Sequence, residues 1–348
     1  MDRTQPRSPR RSTASKLQPL VASIAVAAVL AGCAGQGSGT EATTEAKPPT
    51  RNGEIAFARL DDRGRSGVFV VKADGTGLGG LPATPVGESP DPSPAWSPDG
   101  GSIAFGAAPR GASGGFDLDI YVADAGGGGL ERVTTEPTFD SGPSWSPDGS
   151  KLTFSGVDTS QMFGSASASA GSDQGGSDES GIYTIRSDGT GLRQLTTEPG
   201  DEYAAWSPDG EVIAFGRLTK AAGRIYTVSP DGDGPRKLTD PPEGYWDSQP
   251  SWSPDGAKIA FTRASESRSD VFLMDADGTG VKKLTGKSGD GFSPDFSPDG
   301  KQIVFASNDE GQTTHIHVMG ADGTDVRRLT KGAGVHDDAP DWRPLTHQ

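Results

Sequence analysis

One ten-residue phrase, Trp-Ser-Pro-Asp-Gly-x-x-(Ile/Val/Leu)-x-Phe, recurs along this chain and dictates what it can fold into. It stands at Trp96–Phe105, Trp145–Phe154, Trp206–Phe215 and Trp252–Phe261, and again at Phe296–Phe305 with Phe in the leading place. A sixth aromatic, Trp342, lies in Ala-Pro-Asp-Trp-Arg-Pro near the end. Successive aromatics are 49, 61, 46, 44 and 46 residues apart. A repeat of that length is one supersecondary unit that cannot bury its apolar face alone, so the units must stack.

Each copy supplies the same four strands. A short strand leads into the aromatic. Ser-Pro-Asp-Gly then turns the chain, Pro presetting φ and Gly accepting a positive one. The second strand alternates, as in Ile103/Phe105, Ile213/Phe215 and Ile259/Phe261, which places those side chains on one face. A third strand follows, as at 119–122, 181–184, 224–227 and 270–273. Asp-Gly then marks a hairpin at Asp74-Gly75, Asp188-Gly189 and Asp277-Gly278, a strong short-range turn signal. The fourth strand ends in Leu-Thr at 195–196, 238–239, 284–285 and 329–330, in Val133-Thr134 in the second unit and in Leu81-Pro82 in the first. Gly (51) and Pro (27) fit such a turn-rich chain, and nowhere does an apolar helical period run uninterrupted.

Third-strand and hairpin units number six. The first unit begins on a second strand at Gly53 and lacks a leading strand, whereas the segment Asp337–Trp342 is a leading strand with nothing after it. The fragments complement each other. The expectation is an all-β, six-bladed β-propeller over residues 53–348, closed by a C-terminal strand that completes the first blade and leaves only short, protected edges. Inserts at 107–117 and 157–180 join second to third strands and read as surface loops.

These residues resemble the TolB-type, WD40-like propeller repeat over residues 53–343. The resemblance implies that the leading strand lines a central channel. TolB proteins also carry an α/β domain ahead of the propeller, and no segment here matches it, so the role of TolB in envelope complexes does not transfer directly.

The N-terminus reads as an address. Residues 1–16 are polar and basic, and residues 20–31 are apolar. Twelve helical residues span about 18 Å, short of a ~30 Å hydrocarbon core. The pattern is that of a signal peptide over 1–32. Leu30-Ala31-Gly32-Cys33 resembles the lipobox of bacterial lipoproteins, which implies that Cys33, the only cysteine, is lipidated. Residues 33–52 read as a flexible tether. The expected location is the cell envelope outside the cytoplasm, lipid-anchored to a membrane. Loss of residues 1–32 would move the net charge from −15 to −19, which argues against a nucleic-acid partner.

The one Gly-x-Ser-x-Gly string, Gly111–Gly115, falls in the Gly- and Ser-rich insert at 107–117 rather than between a strand and a helix pattern, so it is not read as a nucleophile elbow. His315-Ile-His317 places two imidazoles on one strand face, but His317 falls where other units carry Tyr or Phe, so packing between blades is the expectation. Asp275-Ala-Asp277-Gly278 imitates the start of a Ca²⁺ loop, yet its twelfth position is Gly286, and the segment recurs as an ordinary hairpin. The aromatics of the phrase are read as inter-blade core.

One constellation outlasts this filtering. Asp91, Asp140, Asp201, Asp247 and Asp337 each stand five residues before a Trp, and Asp290 stands six before Phe296. Propeller symmetry would gather them at one channel mouth, as loop caps or as a site for a cation, such as Ca²⁺, or for a basic ligand. The expected function is a monomeric, membrane-tethered protein- or peptide-binding scaffold with no catalytic residues. The rival is a metal-assisted, lyase-like enzyme acting on carbohydrate in the channel.

Overall fold

A computed structural model of the protein describes residues 51–82, 92–108, 118–135, 138–158, 180–198, 200–286, 290–308 and 313–345. Cys33, Asp91 and nearly all of both inserts lie outside them.

The described residues form strands and turns without a helix. The first blade is Arg51–Leu60 (β1), Ser66–Lys72 (β2) and Gly79–Gly80 (β3). The second is Ala95–Trp96 (β4), Ser102–Ala107 (β5), Asp119–Asp124 (β6) and Glu131–Arg132 (β7). The third is Thr138–Trp145 (β8), Lys151–Asp158 (β9), Gly181–Arg186 (β10) and Arg193–Gln194 (β11). The fourth is Asp201–Trp206 (β12), Ile213–Leu218 (β13), Gly223–Val228 (β14) and Arg236–Lys237 (β15). The fifth is Trp246–Trp252 (β16), Lys258–Ser265 (β17), Arg268–Asp275 (β18) and Lys282–Lys283 (β19). The sixth is Asp290–Phe296 (β20), Gln302–Asn308 (β21), Thr314–Gly320 (β22) and Arg327–Arg328 (β23). His336–Leu345 (β24) pairs antiparallel with β1, completing the first blade with the sheet order β24-β1-β2-β3.

Among the described residues this gives six four-stranded units. The fourth and fifth touch through one parallel bridge, Gly223 to Trp246. The C-terminal strand closes the ring as the half-repeats require, and Arg59 of β1 grips Asp337 of β24 through two hydrogen bonds of 2.6 and 2.7 Å.

The repeated phrase does repeated work. In the first turn Ser97 donates to Asp99 and Gly100 has φ +68°. In the hairpins the main-chain N–H and hydroxyl of Thr76, Thr190, Thr279 and Thr324 bond the Asp two residues earlier. The threonine ending the fourth strand accepts a bond from the third strand's main chain, as Ile182 N–H to Thr196 and Ile225 N–H to Thr239, both at 3.0 Å. These ties satisfy main-chain donors that the two-residue fourth strands leave over.

The aromatics stand between blades. Trp252 packs with Ile259, Phe261 and Met274 of its own blade and with Ala214 and Ile225 of the blade before. Trp206 does the same with Ile182 and Leu195, and Trp342 with Val304, Ile316 and Val318. Stacked sheets with such cores hold each other by burial, worth roughly 25 cal/mol per Å² of apolar surface removed from water.

Every blade carries a left-handed residue at one position before its aromatic. Three residues before each aromatic, Ser93, Tyr203, Gln249, Ser293 and Ala339 have φ of 26° to 59°, and Gly142 has φ 59°. Ladder registers slip at this point in blades 1, 3, 4, 5 and 6. A left-handed residue other than glycine costs about 1–3 kcal/mol, so neighbouring contacts hold it. The Tyr203 N–H bonds Ser155 Oγ at 3.1 Å, and the Ser293 N–H bonds Gln249 Oε1 and Thr262 Oγ1.

Candidate functional site

The two ends of the innermost strands differ in chemistry. At the start of the strand lie the acids that the spacing singled out. Asp201, Asp247 and Asp337 are buried and occupy the same register position, opposite Arg217, Arg263 and Arg59. Each carboxylate takes two short bonds from its arginine, at 2.6 and 2.7 Å for Arg217, 2.6 and 2.8 Å for Arg263, and 2.6 and 2.7 Å for Arg59. Burial pushes the Asp201 and Asp247 carboxyls up, against the pull of Arg217 and Arg263. Thr196 and Thr239, from the preceding blades, also bond these two acids.

Three of the six acids are neutralised by arginines that the spacing argument did not pair with them. Asp140 is buried and accepts from Thr138 Oγ1 at 2.7 Å. Asp290 is half-buried and pairs with Asn308, so the register position of the other acids belongs in blade 6 to Gly291, opposite Ser307. Asp290 therefore stands apart. Asp91 lies outside the described residues. A sequence signal for the arginines existed in Phe57-Ala-Arg59, Phe215-Gly-Arg217 and Phe261-Thr-Arg263, since a side chain two residues past a core Phe shares its face.

The histidines behave as packing groups. His317 stacks on Phe305, with ring centroids 5.6 Å apart, and its Nδ1 lies 3.1 Å from the His315 carbonyl. His315 is buried, with Nδ1 3.8 Å from Asp337. Asp275 receives Lys258 Nζ at 2.7 Å, and Asp277 is a hairpin acid. Among the described residues, no three His, Cys, Asp or Glu side chains gather as a metal would need.

The other end of the innermost strands carries the candidate binding site. There the aromatic and the proline two residues later, from Trp96 and Pro98 round to Trp342 and Pro344, surround a space of about 240 Å³. All six blades contribute. Into it project Asp295 and Asp341, each one residue before its blade's aromatic. Asp295 accepts the Trp342 N–H at 2.9 Å and faces Ser251 Oγ at 3.4 Å. Asp341 accepts the Trp96 N–H at 2.7 Å. Neither carboxylate has a cationic partner among the described residues. Burial pushes Asp295 up to about 7, and burial together with the Asp295 charge pushes Asp341 well up. Burial and the repulsion between the two charges both favour the neutral forms of this pair. The spacing argument passed over this position; comparing Ala95, Ser144, Ala205, Ser251, Asp295 and Asp341 across blades would have exposed it.

A propeller pierced by a funnel, with this repeat phrase at every corner, has known counterparts. Residues 243–347 match the model of the TolB beta propeller domain. That segment is similar to a TolB β-propeller domain. TolB from Acinetobacter baumannii superposes with a TM-score of 0.65 at 24% identity, over 84% of this chain and 66% of that one. The chain thus spans just under two thirds of that protein. A chain of the nidogen/laminin complex gives 0.62 at 12% identity, over 83% and 98%. An oligogalacturonate lyase in complex with manganese gives 0.52 at 11% identity, over 83% and 87%. At these identities the likeness establishes the TolB-like fold, which proteins of different activity share.

Proposed function

We propose that this protein is a membrane-tethered propeller of the cell envelope that binds a protein or peptide at the Trp–Pro funnel. One observation carries the reading: the funnel is rimmed by aromatics and prolines from all six blades and holds two carboxyls without a cationic partner among the described residues. Trp145 and the ring of prolines, less buried than the other five aromatics, supply rigid contact area at low entropic cost. The acids give such a rim a preference for a ligand carrying positive charge, helped by the net charge of −15. A TolB-like fold and its likeness to a chain from a protein–protein complex support the same assignment. The lipobox around Cys33 supports the tether.

The test is capture from native membranes by the full-length protein, beside an Asp295→Asn/Asp341→Asn variant that keeps both main-chain hydrogen bonds. The expected result is a partner retained by the wild type, released by salt and absent with the variant. Identical captures by both proteins would overturn the assignment of the funnel.

A further inference from the structure

One rung of blade 3 pairs two cations. In five blades the second strand, three residues before its core phenylalanine, meets the end of the third. In blade 1 this rung joins Glu54 to Lys72, and in blade 5 it joins Lys258 to Asp275, with Nζ and Oδ1 2.7 Å apart. In blades 2 and 6 it carries at most one charge, Ser102 with Asp124 and Gln302 with Gly320. In blade 3 it joins Lys151 to Arg186. Like charges directly opposite destabilise a sheet, and this pair stands in a chain of 32 basic and 47 acidic residues.

A third cation and a hydroxyl share that side of the sheet. Thr184 lies two residues before Arg186 on β10 and opposite Arg193 on β11, so period two puts Lys151, Thr184, Arg186 and Arg193 on one face. It is the face toward blade 4, because Ile182, the next place in that alternation, packs with Trp206. There the four residues, with Gly191 and with Pro230 of blade 4, line a cavity of about 110 Å³. That is about four times the ~30 Å³ share of one water, room for an anion of four oxygens. Its charges are only partly met. Arg193 holds Asp231 of blade 4 at 2.7 Å on the exposed rim. Arg186 reaches the Thr190 hydroxyl at 3.4 Å, and the neighbouring Asp188 carboxylate is taken up by the N–H and hydroxyl of Thr190. Among the described residues neither Lys151 nor Arg186 has an ion pair. Thr184 is 6% exposed, and its hydroxyl has no hydrogen-bond partner among the described residues. A Cβ at Gly191 would stand 2.8 Å from Arg186 Nη1, so this glycine leaves the guanidinium its place beside the cavity.

We infer that this cavity binds a phosphate group. A guanidinium fork, an ammonium and a hydroxyl meet at one small space, and such donors suit phosphate oxygens. A bound phosphate supplies the negative charge that Glu54 and Asp275 supply on the same rung in blades 1 and 5. The site shares no residue with the Trp–Pro funnel and stands whether or not the funnel binds anything.

The test is calorimetric titration of the full-length protein, at constant ionic strength, with inorganic phosphate and with glycerophosphoglycerol, the soluble headgroup of an anionic lipid. Phosphate should bind, and Lys151→Gln/Arg186→Gln should weaken it at least about tenfold, the margin of one charge-assisted hydrogen bond. Arg186→Asp, which copies the Lys258–Asp275 rung, should abolish binding while raising the melting temperature of the free protein. Thr184→Val, which keeps the shape and removes the hydroxyl, should weaken phosphate too. A headgroup that binds as tightly as phosphate identifies a membrane lipid as the source of the group, and binding of phosphate alone identifies a free phosphate. Binding of neither, or binding that survives Lys151→Gln/Arg186→Gln, would overturn the inference.

Discussion

Asp341 of the closing strand accepts the main-chain N–H of Trp96 at 2.7 Å, and so ties the last strand of the chain to its second blade. Asp295 makes the same link one blade earlier, to the N–H of Trp342 at 2.9 Å. Ser251 does so before that, to Phe296 N–H at 3.2 Å. A side chain one place before the aromatic thus latches blades 5, 6 and 1 each to the next, and two carboxyls come together where the ring closes.

That meeting sets a pH dependence. The folded protein holds Asp295 near 7 against an ordinary 3.8, with Asp341 also raised. Between those values the folded state binds more protons than the unfolded one, so this pair makes stability fall as pH rises from about 4 to about 7. The turn acids act oppositely. Hydrogen bonds hold Asp99, Asp148 and Asp255 low, and Asp299 at about 2, so their contribution is present above the ordinary value and lost as pH falls below it. Melting temperature should therefore peak in mildly acidic solution, at about pH 4–5. Asp341→Asn should raise the melting temperature more at pH 8 than at pH 4.5. An unchanged slope across that interval would disprove the role of the pair.

The buried ion pairs give a second prediction. Arg217→Met leaves the Asp201 carboxylate in the interior without its cation and should cost about 3–5 kcal/mol. The double variant Arg217→Met/Asp201→Leu should recover most of that loss, because well-packed apolar replacements of a buried pair are often neutral. Denaturant unfolding of the three proteins measures both. If the single and double variants are equally unstable, the two bonds of 2.6 and 2.7 Å do not govern this site.

Blade number, strand order and closure were legible because they rest on signals of local chemistry: Pro-Asp-Gly turns, alternation of period two, and half-repeats at both ends. The site was less legible. The argument that five residues before Trp means channel mouth located Asp201, Asp247 and Asp337 on matching strands, but it did not see Arg217, Arg263 and Arg59 opposite them. Those arginines lie on a different strand, and cross-strand partnership is set by register. The slip at Tyr203, Gln249, Ser293 and Ala339 shifts that register by one residue. The same counting placed Asp290 with the others, although the ladder gives its place to Gly291. Asp295 and Asp341 escaped notice because their meaning depends on being neighbours across two blades.

The resemblance of Leu30-Ala31-Gly32-Cys33 to a lipobox predicts anchoring. Membrane fractions should retain the wild type through a high-salt wash and lose Cys33→Ala. A single acyl chain binds only marginally, whereas two or more hold stably, so the retained form should carry more than one chain by mass spectrometry. Wild-type protein found unacylated in the soluble fraction would show that Leu30-Ala31-Gly32-Cys33 does not act as a lipobox.

Ring closure gives the last prediction. β24 contributes the innermost strand of blade 1, with seven register partners on β1 from Arg51 to Leu60. It also brings Trp342 into the core formed by Ile55, Phe57, Val304 and Val318, and Asp337 to the Arg59 guanidinium. Deleting residues 335–348 would therefore open an unpaired edge on β1, expose one apolar core and leave Arg59 half-desolvated without its acid. Trp342→Ala alone should cost about 3–5 kcal/mol, a large fraction of the ~5–15 kcal/mol that holds a typical domain. Arg59→Met should cost less than the deletion, since it spares the strand and the core. Calorimetric melting of the three variants should rank the deletion lowest. A deletion variant that melts with the wild type would mean that the ring stands without its closing strand, and that the pairing of β24 with β1 contributes little to stability.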